Sequence, residues 1–485
     1  MYFILEFYLL LSILFFFLFG ISNAYSSNIR FPNIESSLLS LVFIIIANSI
    51  YLCLNNSFLE LVLFNNLITK DSSNNLVSLL LLLINLIVIL VTRYYNKTLY
   101  IISFEFLFLV LFLTFNSILL VSVNNLFLFF LLLESQSITL FILSSINKRS
   151  RYSIESSLKY FILGSFSSII MLLGISMVYI TTSFMFFDDL IVFFSSIDSV
   201  FLNTGVSFAL IFISVGFFFK LYSAPFHFWV SDIYEGSASS SVLLFASSSF
   251  FVFYYMFIKL FFVVFYKFFN FYSNYLIVFA ICSMIFGTLG GLLQIRLKRL
   301  LAYSSITVTG YIFLILFSES LYSIESVLFF ILVYITISIG MFTIVTNLLL
   351  DNSHYVSFFT QISSLVNSNR VLSFFFTTFL FSVGGIPPFV GFIAKLELLV
   401  ALILKNAYLL FFVFLVISVV SLFYYVRVVK YVFSKKISYW VSFKQINYTS
   451  SLVISFIFLI NIISVLFNST YFLFCKLLTL NLILL

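Results

Sequence analysis

Residues 220–237 read KLYSAPFHFWVSDIYEGS, and they follow an apolar run long enough to lie deep in a bilayer. Within ten residues the stretch holds an ammonium at Lys220, a helix-breaking Pro225, an imidazole at His227 and an indole at Trp229. A lysine at the centre of a membrane helix costs about 2.5–3.5 kcal/mol on insertion scales. Pro225 removes a backbone donor shortly after it, so the segment reads as both charged and broken at depth. Broken membrane helices with ionisable side chains at the break are how transporters and proton pathways build sites near the midplane.

The rest of the chain supplies the membrane this reading needs. Of 485 residues, 63% are hydrophobic and 8% charged, and the mean hydropathy is +1.24. That leaves too little polar surface to cover a soluble globule of this size. Apolar runs of helical length, about 20 residues each, recur from end to end, which specifies an all-α membrane protein and excludes a barrel of alternating strands. Fourteen spans are expected, near residues 2–20, 38–63, 75–92, 100–122, 125–146, 157–182, 203–232, 240–266, 271–292, 300–318, 323–350, 371–402, 406–428 and 450–474. The first carries Glu6 with no lysine or arginine ahead of it and is read as a span rather than a secretory signal.

The net charge of +7 is a matter of topology, not of nucleic-acid binding. Loops and flanks after odd-numbered spans hold sixteen Lys and Arg, among them Arg30, Arg149, Lys298, Lys435 and Lys436. Loops after even-numbered spans hold three, Lys70, Lys267 and Lys405. One missed helix would scramble that alternation, so both termini are placed on the face opposite the basic loops. No Pro- or Gly-rich linker divides the chain, and 1–485 is read as one polytopic domain: N-terminal helices 1–99, a first unit 100–266, a second unit 271–432 and a C-terminal part 450–485. Pro225 breaks span 7, and Pro387 and Pro388 break span 12, each span holding a deep lysine, Lys220 and Lys395. Two broken lysine helices five spans apart imply two five-helix units, spans 4–8 and 9–13, and an odd number of helices makes them inverted.

Glu134, in the middle of span 5, is either a neutral acid bonded to a backbone carbonyl or the carboxylate partner of a buried lysine. Lys220 and Lys395 lie where unwound backbone and water can solvate an ammonium, and are the lysines of choice for a proton relay. Lys259 lies nearer the end of span 8, where snorkelling to the headgroups is expected, and it ranks below the other two, as an accessory candidate. His227 either relays protons or caps carbonyls freed by the break. Ser248 and Tyr254 are further accessory candidates, as hydroxyls that can hold a water chain. Glu6, Glu60, Glu105, Glu319 and Glu325 fall near span ends, where headgroup solvation is the default. Cys53, Cys282 and Cys475 are isolated in apolar surroundings, so no metal or cofactor site is expected.

Six fragments in order, LLLESQSITLFILSS (131–145), SIESSLKYFILGSFSS (153–168), KLYSAPFHFWVSDIYEGS, KRLLAYSSITVTGY (298–311), GGIPPFVGFIAK (384–395) and FYYVRVVK (423–430), closely resemble the antiporter-like membrane subunits of proton-pumping NADH:ubiquinone oxidoreductase, respiratory complex I. The resemblance covers about residues 100–432. It implies fourteen helices in two inverted five-helix units, a water-filled polar axis, and a non-redox subunit of an H+-translocating enzyme with no cofactor of its own. NADH, FMN, iron–sulfur clusters and ubiquinone would belong to partner subunits, and structural lipids would surround the chain. By motif, Glu134, Lys220 and Lys395 are similar to the family's relay residues of spans 5, 7 and 12. The implied neighbours are other membrane-arm subunits, especially chains 4 and 4L and the lateral helix of chain 5. The implied location is the mitochondrial inner membrane, with a bacterial plasma membrane as alternative. Two positions depart from the pattern: Phe250 stands where the family usually has a span-8 lysine, and Val308 where it often has a span-10 histidine. A secondary cation/proton antiporter subunit and a non-pumping structural subunit are the competing readings, the latter favoured by those two departures.

Overall fold

A computed structural model describes residues 4–26, 32–55, 61–99, 101, 103–196, 200–350, 355–363, 365–434 and 443–483. Arg30, Glu60, His354, Lys435 and Lys436 lie outside them. Among the described residues, twelve helices are long and apolar enough to cross a membrane. Two further spans consist of paired half-helices, Val200–Lys220 with Phe228–Gly236 for span 7 and Arg370–Gly384 with Val390–Leu404 for span 12. The fourteen-span order stands, with the breaks beside the three prolines that predict them.

Span 2 is shorter than expected. Pro32 opens it, at the helical position whose missing N–H costs nothing, and it ends at Asn55. Leu61–Leu63 then pairs with Ile68–Lys70 in a small antiparallel hairpin. Among the described residues, two helices of more than two turns were not foreseen, Phe187–Ser196 between spans 6 and 7 and Asn468–Ile483 after span 14.

Loop pairing separates the two faces. The backbone N–H of Leu126 donates to Met185 O at 3.0 Å and that of Phe187 to Asn124 O at 3.0 Å, tying the loop after span 4 to the loop after span 6. In the second unit, Leu297 N donates to Ser357 O at 3.0 Å and Phe359 N to Ile295 O at 3.2 Å, tying the loop after span 9 to that after span 11. The same stitch is made twice, on even-numbered loops in one unit and odd-numbered loops in the other, as inversion of an odd-helix unit requires. Side-chain contacts keep the same parity. Lys70 pairs with Glu6, Lys267 with the Phe194 carbonyl and Lys405 with Glu319 on one face; Lys148 pairs with Glu105 and Lys159 with Asp232 on the other. Glu6 is therefore not solvated among headgroups: Lys70 donates to it at 2.7 Å and both are buried.

Inside this frame span 8, Ser239–Val264, is buried at every residue but Val263, and spans 10 (Leu297–Leu316) and 11 (Leu321–Asn347) nearly so. Spans 8 and 10 are also the least apolar of the twelve. Helices enclosed by other helices can carry hydroxyls that lipid-facing ones cannot.

Candidate functional site: a hydroxyl axis between two broken helices

Each break places its lysine by local backbone chemistry. After Lys220 the chain turns through Tyr222, at φ +65°, and Ser223 satisfies the freed Phe218 carbonyl with both its N–H (3.1 Å) and its hydroxyl (2.8 Å). Lys220 is the last residue of its half-helix and is 2% exposed. A cation at a helix C-terminus is favoured by the macrodipole. Its ammonium makes no direct hydrogen bond among the described residues. Trp229, on the following half-helix, packs on Phe219, Tyr222 and Tyr160.

In span 12 the first half-helix ends at Gly385, φ +82°, whose N–H bonds Phe381 O at 2.9 Å. Lys395, on the second half, reaches back and donates to the Gly384 carbonyl at 2.6 Å. A side-chain ammonium thus satisfies a carbonyl left over at the break, and its Nζ lies 5.7 Å from the centre of the Tyr311 ring.

Between the lysines runs a band of buried hydroxyls. Span 8 carries a π-helical turn at Phe245–Ser249, and such a turn releases carbonyls from the helical ladder. Tyr222 donates to Phe245 O at 3.0 Å and Ser338 to Ala246 O at 3.3 Å. Ser248 and Ser249, in the same turn, are fully buried and have no partner for their hydroxyls among the described residues. Tyr254, one turn further on, reaches toward Thr309 of span 10, and Tyr234 and Tyr334 reach toward Ser305. The hydroxyls of Tyr234 and Tyr254 close no direct hydrogen bond among the described residues. Tyr424 and Tyr425 of span 13 bond each other at 3.3 Å and face Thr307 and Ser304. Tyr311 reaches toward Ser421 and completes the band at Lys395.

Phe250 stands within this band. It is 1% exposed, and its ring packs on Tyr254 (4.7 Å), Tyr334 (5.1 Å) and Tyr222 (5.9 Å between centroids). It faces the axis, not lipid. Val308 is also buried.

Other candidates are placed differently. Glu134 is half-buried and makes no ion pair with Lys220 among the described residues; Ser137 lies 3.3 Å from its carboxylate. It is close enough to act electrostatically on Lys220 and Tyr160. His227 packs between Phe228 and Phe286, its Nδ1 without a hydrogen-bond partner among the described residues. Lys259 does not snorkel: it is 4% exposed and bonded to loop carbonyls. The tyrosines of spans 7, 11 and 13 and the hydroxyls of span 10 were missed as site residues. The alternation of hydroxyl and apolar residues in AYSSITVTGY, within an otherwise spanning helix, is the signal that could have found the latter.

The family described as NADH:quinone oxidoreductase/Mrp antiporter, TM, matches residues 123–421, more than half of the chain. NADH-quinone oxidoreductase subunit N of Pelagibacter ubique is 32% identical over 434 residues, covering 89% of both chains. NADH-ubiquinone oxidoreductase chain 2 of Marchantia polymorpha is 32% identical over 375 residues, 77% of this chain and 74% of that one. Among solved structures, a chain of respiratory complex I from Thermus thermophilus superposes with a TM-score of 0.78 at 23% identity, over 96% of this chain and 98% of that one. A chain of the Mrp complex from Dietzia superposes at 0.82 with 16% identity, over 99% and 97%. At these identities the superpositions speak to the fold alone.

Proposed function

Because this chain belongs to the NADH:quinone oxidoreductase/Mrp antiporter transmembrane family, in the branch of chain 2 and subunit N, we propose that it translocates protons through the axis from Lys220 to Lys395 as a non-redox subunit of complex I. Electron transfer from NADH to ubiquinone, with its FMN and iron–sulfur clusters, takes place in partner subunits, and this chain binds no cofactor. Its neighbours are other membrane-arm subunits, chains 4 and 4L and the lateral helix of chain 5 among them, in the mitochondrial inner membrane.

The observation that carries this reading is the band of buried hydroxyls joining two buried lysines at helix breaks. A buried hydroxyl without a partner costs about 1–3 kcal/mol. Ordered water, which needs two to four polar partners, relieves that cost, and such waters form a path a proton can follow. Glu134 supplies the switch. When its carboxylate approaches Lys220 the ammonium keeps its proton; when it withdraws, a buried amine with no hydrogen-bond partner among the described residues gives the proton up to the axis. Lys395 receives it at the far end, where its ammonium donates to the Gly384 carbonyl beside the Tyr311 ring.

The test is the ratio of protons moved to NADH oxidised by the assembled complex in sealed vesicles. Glu134→Ala, Lys220→Ala and Lys395→Ala should each lower it while NADH oxidation with an uncoupler persists. An unchanged ratio in both Glu134→Ala and Lys220→Ala would remove the relay. Phe250 favours a second reading, a subunit that has kept the architecture and lost transport, and the same ratios decide between the two. Co-purification with flavin- and iron–sulfur-containing subunits separates both from an antiporter driven by an ion gradient.

A further inference from the structure

Lys259 is a third deep lysine, and the axis makes no use of it. It opens a second π-helical turn, Lys259–Val264, in which Phe265 N bonds Leu260 O at 2.9 Å. Its ammonium donates to the carbonyls of Val123 (3.1 Å) and Val121 (3.4 Å), in the segment where span 4 ends, and lies 5.8 Å from the centre of the Phe187 ring. It belongs to none of the ion pairs among the described residues.

The charged groups that act on it are Asp188 and Asp71, at longer range. Asp188, on the short helix after span 6, is exposed and accepts from Asn124 at 2.6 Å. Asp71, ahead of span 3, accepts from Asn74 at 3.3 Å, and Asn74 in turn accepts from Tyr255, one turn before Lys259 on span 8, at 3.2 Å. Lys259, Asp188, Asn124, Thr69 and Phe187 line one cleft. Every loop that builds it lies on the face of Lys70 and Lys405.

An ammonium bonded to carbonyl dipoles rather than to a carboxylate, with an exposed carboxylate across a cleft, is built to lose and regain a proton rather than to form a permanent ion pair. We propose that Lys259 is the group through which this chain exchanges protons with the solution on the Lys70/Lys405 face. In one cycle the Lys259 Nζ–H bond breaks and the proton passes, along the cleft, to a carboxylate oxygen of Asp188. The amine is left neutral, and Asp188 releases the proton to bulk solvent. The amine then takes a proton from the interior and regains its charge, with no electron transferred. The inference rests on the translocation reading above.

Lys259→Arg separates proton exchange from structure. Arginine can keep the cation and the carbonyl bonds, but it does not deprotonate. In vesicles holding the assembled complex, Lys259→Arg should oxidise NADH with the proton ratio lowered to that of Lys220→Ala. A wild-type ratio in Lys259→Arg beside a lowered one in Lys220→Ala overturns this inference alone. A wild-type ratio in both overturns the translocation reading with it. Should Lys259→Arg fail to assemble, Asp188→Asn takes its place: it can keep the bond to Asn124 and removes the charge. Pumping slowed several-fold and newly sensitive to pH on the Lys70/Lys405 face supports the exchange, and wild-type pumping at every pH overturns it.

Discussion

At Gly385 one residue meets two demands. Its φ of +82° is left-handed, and a Cβ built there would stand 2.7 Å from Lys395 Cδ and 3.1 Å from Lys395 Nζ. Gly385→Ala should cost about 1–2 kcal/mol in backbone strain and push the ammonium off the Gly384 carbonyl. The expected result is an assembled complex whose proton ratio falls as in Lys395→Ala; a normal ratio would mean that the lysine functions without its cap. Phe250→Lys tests the axis from the other side. At a lipid-facing position a lysine would cost about 2.5–3.5 kcal/mol and reduce assembly. Among Tyr222, Tyr254 and Tyr334 it should be accommodated, and assembled complex near the wild-type amount, read on native gels, is the expected outcome. The lone deep charges Lys220, Lys395 and Glu134 were legible in the sequence because each stands out against apolar neighbours. The Glu6–Lys70 pair was not, since its partners are 64 residues apart and each alone resembles a headgroup residue. Nor were the axial tyrosines, which a count of apolar residues scores as hydrophobic.

Broken helices announce themselves and distorted ones do not. Pro225, Pro387 and Pro388 marked spans 7 and 12, because proline cannot continue the helical ladder. Span 8 has neither proline nor glycine, yet it carries two π-helical segments within Ser239–Val264. What holds the first is tertiary: Tyr222 from the break of span 7 and Ser338 from span 11 bond the released carbonyls. Sequence alone carries no record of donors arriving from other helices. Tyr222→Phe removes one of them and leaves a buried carbonyl short of a partner, a loss of about 1–3 kcal/mol. The purified complex should then unfold at lower temperature, as followed by differential scanning fluorimetry. An unchanged transition would mean that the turn holds itself.

The whole molecule keeps its two faces apart. The bias of lysine and arginine toward odd-numbered loops foretold the topology, and the loop pairing in the structure keeps the same parity. Single cysteines replacing Arg149 and Lys405, in a background without the native Cys53, Cys282 and Cys475, should react with a membrane-impermeant thiol reagent from opposite sides. Labelling from one side would remove the fourteen-span parse. The two-fold stitch has a consequence for how such a chain can be inherited. Leu126 meets Met185 and Phe187 meets Asn124 within the first half; Leu297 meets Ser357 and Phe359 meets Ile295 within the second. The hairpin at Leu61–Lys70 and the bridges Ile68–Val123, Leu349–Tyr355 and Leu350–Phe443 likewise each fall wholly in one half. A gene severed between the codons for spans 8 and 9 would cut none of these strand-like pairings. Each product would carry its own loop stitch complete, and the halves would have to rejoin through helix packing and through loop contacts such as Arg296 with Glu235, Arg299 with Asp232 and Lys298 with the Ser237 carbonyl.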